Sequence, residues 1–146
     1  MFDVPDLIPV AKASFPIEDA SVASRLEYVG GSMFESVPPA EVYVMKHIIH
    51  DWEDDHCVKL LKNCHASMQG NGCVVCVDSV LPPLGDTGNT PAKLMDLLML
   101  SGINGRERTE AQWTDLYGKA GFEVSSITSI HDNFGTSIVE GVKRAE

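Results

Sequence analysis

The chain has 146 residues, 21 of them acidic and 11 basic, for a formal charge of −10. Such an excess of negative charge argues against a nucleic-acid binder or a protein that docks on anionic membranes, and leaves small molecules as the expected partners. With 44% hydrophobic and 22% charged residues, the composition is that of an ordinary globular domain rather than a disordered or fibrous chain.

Short β-rich apolar runs alternate with helical stretches, the rhythm of an α/β protein with a mainly parallel sheet. Met1–Val4 reads as the end of a strand, and Pro5 introduces a short helix over Asp6–Lys12. Leu26–Val29, closed by Gly30-Gly31, is the next strand. Val42–Lys46 is strongly strand-like and is expected to run on through His47-Ile48-Ile49, up to the polar break His50-Asp51-Trp52-Glu53-Asp54-Asp55. The following helix places Cys57, Leu60, Leu61, Cys64 and Met68 on one face, sets acids at its positive end and stops at Gly70. Asn71-Gly72 then turns the chain into Cys73–Asp78, an apolar run suited to a buried central strand.

Beyond the Pro- and Gly-rich loop Leu81–Thr90 come a helix over Ala92–Leu100 and the charged turn Gly105-Arg106-Glu107-Arg108. Thr109 and Gln112 have the spacing of a capping box for a helix over Glu110–Ala120 that ends at Gly121. Phe122–Ile127 and Thr136–Val142, separated by His131-Asp132-Asn133, are expected to pair antiparallel at one edge of the sheet. No run approaches the ~20 apolar residues that span a bilayer. The opening residues carry an early acid where a secretory leader would place positive charge, so a cytoplasmic setting is expected. Cys57, Cys64, Cys73 and Cys76 lie within hydrophobic patterns and read as reduced, buried thiols.

Ligands in open α/β sheets bind beyond the carboxyl ends of the strands. That rule selects Asp3, the stretch from Lys46 to Asp51, and Asp78. Asp3 suits an acceptor for ribose hydroxyls, with a solvated strand-end acid as the plain alternative. His50 is the side chain best matched to proton transfer near neutral pH, and Asp78 and Glu107 stand where they can fix its tautomer. On spacing alone a purely structural histidine remains the ordinary reading among five. A zinc centre drawn from His56-Cys57, Cys64-His65 and Cys73-x-x-Cys76 meets a geometric obstacle, because Cys73 and Cys76 point to opposite faces of a strand; no metal is expected. Met95 and Met99 suit core or pocket lining, while Trp52 and Trp113 either line a pocket or cover the core.

The ordered series Val44-Met45-Lys46-His47-Ile48-Ile49-His50-Asp51-Trp52, Cys64, Gly72, Asp78-Ser79-Val80-Leu81-Pro82 and Gly105-Arg106-Glu107-Arg108-Thr109-Glu110 closely resembles the C-terminal catalytic domain of the S-adenosylmethionine-dependent O-methyltransferases of the caffeic acid and acetylserotonin type. The resemblance covers nearly the whole chain. It implies a class I methyltransferase fold, Rossmann-like, whose seven-stranded sheet takes its last strand antiparallel. It also implies S-adenosyl-L-methionine as cofactor and a small, aromatic hydroxyl compound as acceptor. In that frame His50 is the general base, flanked and oriented by Asp78 and Glu107. Asp51, Trp52, Met95 and Met99 border the acceptor. Asp3 holds the ribose, Ser32, Met33 and Phe34 meet the adenine, and Lys46 faces the cofactor.

Two residues depart from the family's pattern: Ser32 replaces a usual acid, and Asp78 replaces a common glutamate. The chain also opens at the family's second sheet strand. The first strand with its glycine-rich loop is therefore expected to be absent, as is the helical dimerisation domain of this homodimeric family. The expectation is a truncated catalytic domain with two apolar strand edges exposed beside Asp3 and Lys46. The competing expectation is a catalytically impaired fragment acting as a binding or interaction module. A nicotinamide-dependent oxidoreductase fits poorly, since its glycine fingerprint does not occur.

Overall fold

A computed structural model describes residues 1–14, 17–88, 90–130, 132 and 135–144. In chain order these form β1 (Phe2–Asp3), α1 (Leu7–Ser14), α2 (Ala20–Ala23), β2 (Val29–Gly30), β3 (Ala40–Lys46), a 3-10 turn (Ile49–Asp51), α3 (Asp54–Ser67) and β4 (Met68–Leu81). Then follow α4 (Thr90–Ile103), β5 (Arg108–Thr109), α5 (Glu110–Lys119), β6 (Phe122–Ser129) and β7 (Thr136–Lys143). Among the described residues, no helix is long and apolar enough to cross a membrane. Of the expected link His131-Asp132-Asn133 only Asp132 is described, and its Oδ1 accepts the Thr136 N–H at 2.9 Å; His131 and Asn133 lie outside the described residues, as does Asn89 of the 81–90 loop.

The main sheet has the order β3-β4-β7-β6, with β5 beside β4. β3 and β4 run parallel, and β7 is antiparallel to both β4 and β6. The closing antiparallel pair therefore stands at one edge, as its short connection requires. β1 and β2 form a second, two-stranded parallel sheet. The strands thus divide between two sheets instead of joining one seven-stranded sheet. Among the described residues β3 pairs with β4 alone, and Val42 and Val44 on it are 51% and 67% exposed.

Several boundaries differ from the sequence expectation, and three of the differences have a clear local reason. The strand expected at Leu26–Val29 shrinks to Val29–Gly30, because the Leu26 N–H is already bonded to Ala23 O behind α2. β3 stops at Lys46 instead of running through Ile49. His47 takes a left-handed conformation (φ 53°), and the chain coils so that Ile49 is fully buried. Finally, Gly70 and Asn71-Gly72 neither stop a helix nor make a separate turn. α3 ends at Ser67, and the pairing of β4 with β3 jumps from Ala40↔Met68 to Val42↔Cys73, so Gln69–Gly72 bulge out of an otherwise continuous strand. Gly72 is required there, since a Cβ would lie 1.9 Å from Glu41 O.

α3 and α5 cover the sheet. Cys57, Leu60, Leu61 and Cys64 of α3 and Trp113, Leu116 and Tyr117 of α5 join Val74, Cys76, Phe122 and Val139 in one core. Burying one such side chain fully is worth about 1.5–3 kcal/mol. The Tyr117 hydroxyl donates to Val139 O at 3.1 Å, which allows a phenol to sit in an apolar layer. The capping box at Thr109 and Gln112 is present, so α5 starts where the spacing places it. All four thiols are free. Burial pushes Cys57 up to about 11 and Cys64 up to about 12.

Candidate active site

The site lies beyond the carboxyl ends of β3 and β4. His50 sits in the 3-10 turn that follows β3, Asp78 lies in the second half of β4, and Glu107 immediately precedes β5. The segment from Gly105 to Glu107 is laid against the His50 turn by its backbone: Gly105 N–H donates to Met99 O at 3.1 Å, and Arg106 N–H donates to His50 O at 2.9 Å. Glu107 N–H donates to Asp96 Oδ1 of α4 at 2.8 Å. Gly105 is fixed by close approach, since a Cβ there would stand 2.2 Å from His50 O.

These contacts aim three acids at one imidazole. His50 Nδ1–H donates to Glu107 Oε1 at 2.8 Å, with Asp78 Oδ1 3.6 Å from the same nitrogen. A carboxylate accepting at Nδ1 places the proton there and leaves the Nε2 lone pair available. Nε2 faces Asp51 Oδ1 at 3.3 Å. His50, Asp78 and Glu107 are all buried. Desolvation is the largest single influence on His50 and lowers its basicity. The hydrogen bond to Glu107 and the charges of Asp78, Glu107 and Asp51 outweigh it and hold the imidazole above its ordinary 6.5. Asp78 is fully buried, and neither of its oxygens accepts a hydrogen bond among the described residues. Burial accordingly pushes it up to about 7, against the opposing pull of His50.

His47, which the sequence placed in the selected 46–51 stretch without a role of its own, completes the group. Its Nδ1 lies 3.8 Å from Asp78 Oδ1 and its ring 5.1 Å from that of His50. Burial and the neighbouring His50 lower its pKa. Ligand atoms of His47, His50 and Asp78 fall within 4.8 Å of one another. His50 Nδ1 is committed to Glu107, so an ion gathered here would have to break that hydrogen bond. As it stands, the cluster can hold or pass on a proton.

The residues expected on the cofactor side occupy two places. Asp3 ends β1, its Oδ1 accepting the Val4 N–H at 2.7 Å, and Ser32 follows β2 with its carbonyl accepting from Glu35 and Ser36. The half-buried Met33 and Phe34 lead toward the His50 side. Asn63 of α3 donates to Met33 O at 2.8 Å, and Phe34 packs edge-on against Trp52 with ring centres 4.7 Å apart. His56 closes that aromatic group, 5.5 Å from Phe34 and 5.6 Å from Trp52. A strand-end carboxylate next to a half-buried apolar turn has the polarity a nucleoside needs, hydroxyl acceptor at one end and apolar face at the other. Lys46 is exposed at the end of β3. Met95 and Met99 lie half-buried on α4, the helix that also supplies Asp96. Trp113 is a core residue, 1% exposed. Asn63 and Asp96 carry no motif of their own. Their roles are contacts to backbone made only in the folded chain.

Comparison with known proteins identifies the family and the fold. The profile of the O-methyltransferase domain family matches residues 1–123. Mouse acetylserotonin O-methyltransferase is 39% identical over 125 residues, 84% of this chain and 32% of the relative. The caffeic acid 3-O-methyltransferase of Medicago sativa is 39% identical over 132 residues, 88% of this chain and 35% of the relative. Among solved structures, human N-acetylserotonin methyltransferase in complex with SAM superposes with a TM-score of 0.86 at 25% identity, covering 99% of this chain and 40% of that one. A methyltransferase of calicheamicin biosynthesis in its SAH-bound form gives a TM-score of 0.85 at 31% identity, covering 98% of this chain and 40% of that one. The fold is thus that of the class I methyltransferases. The chain spans about a third of the length of the curated relatives it matches.

Proposed function

Because the chain belongs to the O-methyltransferase domain family, we propose that it carries the base and acceptor side of an S-adenosyl-L-methionine-dependent O-methyltransferase acting on a hydroxyl of a small aromatic compound. The observation that carries this reading is the 2.8 Å hydrogen bond from His50 Nδ1 to Glu107. It commits the imidazole to the tautomer in which Nε2 is a base.

His50 Nε2 takes the proton of the acceptor hydroxyl, and the oxygen, its lone pair freed, bonds to the methyl carbon. When bound, the cofactor supplies that methyl on a positively charged sulfur, whose charge is lost as the methyl leaves. No device to stabilise an accumulating anion is then needed beyond the base itself, and an acidic chain favours a cationic cofactor. The imidazolium left on His50 is stabilised by Glu107 and Asp78 on its Nδ1 side and by Asp51 at Nε2. Low exposure at His50 keeps water from competing for the proton. Asp3 is the acceptor for the ribose hydroxyls. Ser32, Met33 and Phe34 meet the adenine, and Lys46 lies on the cofactor side. Trp52, Met95 and Met99 offer the apolar surface that orients an aromatic ring, and orientation of this kind supplies a large part of the rate in an in-line transfer.

Calorimetric titration of the chain with S-adenosylhomocysteine, followed by radiolabelled methyl transfer to a panel of phenols, tests the proposal. Micromolar binding and methylated phenol are the expected results. A folded chain that neither binds nor transfers would contradict it.

A further inference from the structure

Arg108 is 1% exposed, and among the described residues its side chain is the one fully buried cation. Its guanidinium is tied to the backbone on both sides of the base: Nη1 donates to Ile49 O at 3.0 Å, and Nη2 donates to Trp52 O at 2.8 Å. Nη2 and Nε also donate to Asp54 Oδ1, at 2.8 and 3.1 Å, at the first residue of α3. Ile49 and Trp52 bracket His50-Asp51, so the fork closes the turn that carries the imidazole and fastens it to α3. The neighbouring residue, Glu107, meanwhile holds the imidazole itself. Backbone and ring of one histidine are therefore held by two consecutive side chains.

A residue needed only to fill this space would be apolar, since taking a guanidinium out of water is costly unless every donor finds an acceptor. Lysine cannot reproduce the arrangement. A single ammonium lacks the planar fork that reaches two carbonyls and a carboxylate at once. We propose that Arg108 is a positioning residue for His50, fixing the 49–52 turn against Glu107 so that the His50–Glu107 hydrogen bond stays short. The catalytic consequence rests on His50 being the base, whereas the positioning can be measured without any turnover.

The test is NMR titration of the ring nitrogens of His50 in the whole chain, comparing the wild type with Arg108→Lys and Asp54→Ala. The second variant removes the fork's partially exposed anchor and leaves the core filled, so it carries the test should Arg108→Lys not fold. Leu116→Ala, a core change on α5 away from the turn, serves as a stability control. The expected result is that the His50 titration moves down toward the ordinary histidine range and the Nδ1-protonated tautomer loses population in both variants, but not in Leu116→Ala. Methyl transfer should then fall on the order of 10- to 100-fold in kcat. An unchanged His50 titration in folded variants, or an equal shift in Leu116→Ala, would overturn the proposal and leave Arg108 with a structural role alone. A shifted titration with unaffected transfer would keep the positioning and instead count against His50 as the base.

Discussion

His50 Nδ1 and Glu107 Oε1 stand 2.8 Å apart although 57 residues separate them in the chain. The bond does two things at once, since it selects the ring tautomer and raises the affinity of the imidazole for a second proton. Glu107→Gln keeps the size of the side chain and removes its charge. The His50 titration is then expected to move down, and kcat to fall on the order of 100-fold. Measuring the pH profile of methyl transfer alongside the NMR titration checks both halves.

Asp78 makes a prediction about stability. Burial places its pKa at about 7, above the 3.8 of the unfolded chain. The native state therefore holds a proton that the unfolded state has released, and stability declines as pH rises between those values. His50 adds a slope of the same sign. The contribution from its raised pKa is complete below 6.5 and is lost as pH passes through the folded value. Urea unfolding should thus show a lower midpoint at about pH 8 than at about pH 5.5. Asp78→Asn should flatten that difference and raise the midpoint at the higher pH, while impairing transfer. An Asn variant with the wild-type slope would remove Asp78 from the explanation.

Gly105 is bound to the same turn by lack of space. A Cβ there meets His50 O at 2.2 Å and His50 C at 3.2 Å, and these are backbone atoms that cannot rotate aside. Gly105→Ala is expected to cost about 1–3 kcal/mol of stability and to reduce kcat more than KM, because the displaced group is the proposed base. Chemical denaturation and steady-state kinetics on the same preparation distinguish this from a harmless surface change.

Thiol chemistry reports on the core. Cys57, Cys64 and Cys76 are 2% exposed or less, and burial raises all three pKa values. Cys73 is the one that reaches the surface in part. A thiol reagent should modify Cys73 first in the native chain and the remaining three on unfolding. Rapid reaction of all four in buffer would mean that α3 does not pack on the sheet as described.

Those features that rest on local signals were legible in the sequence. The Thr109–Gln112 capping box, the apolar face of α3 and the antiparallel closing pair follow from spacing alone. Strand-end and turn positions marked His50, Asp78 and Glu107 as groups able to converge, and the fold brings them together. Spacing alone left a structural histidine as the ordinary reading, and the family resemblance is what singled out His50. What escaped depends on distant partners. A β-branched run gives no reason to stop at Lys46, and only the burial of Ile49 explains the bend at His47. The glycines at 70 and 72 carry the signal of a turn, yet pairing with β3 resumes at Cys73 and makes them a bulge. Asp96 and Arg108 matter through backbone groups that no pattern within their own segments announces.

Replacing His50 by alanine is the most direct measurement of the central claim. Radiolabelled methyl transfer to a phenol that the wild type accepts should vanish in His50→Ala. The affinity for S-adenosylhomocysteine, titrated on the same sample, should stay within about twofold, because the imidazole is assigned to the acceptor's proton and not to the cofactor. Transfer retained within about tenfold of wild type, at unchanged cofactor affinity, would contradict the assignment of His50 as the general base.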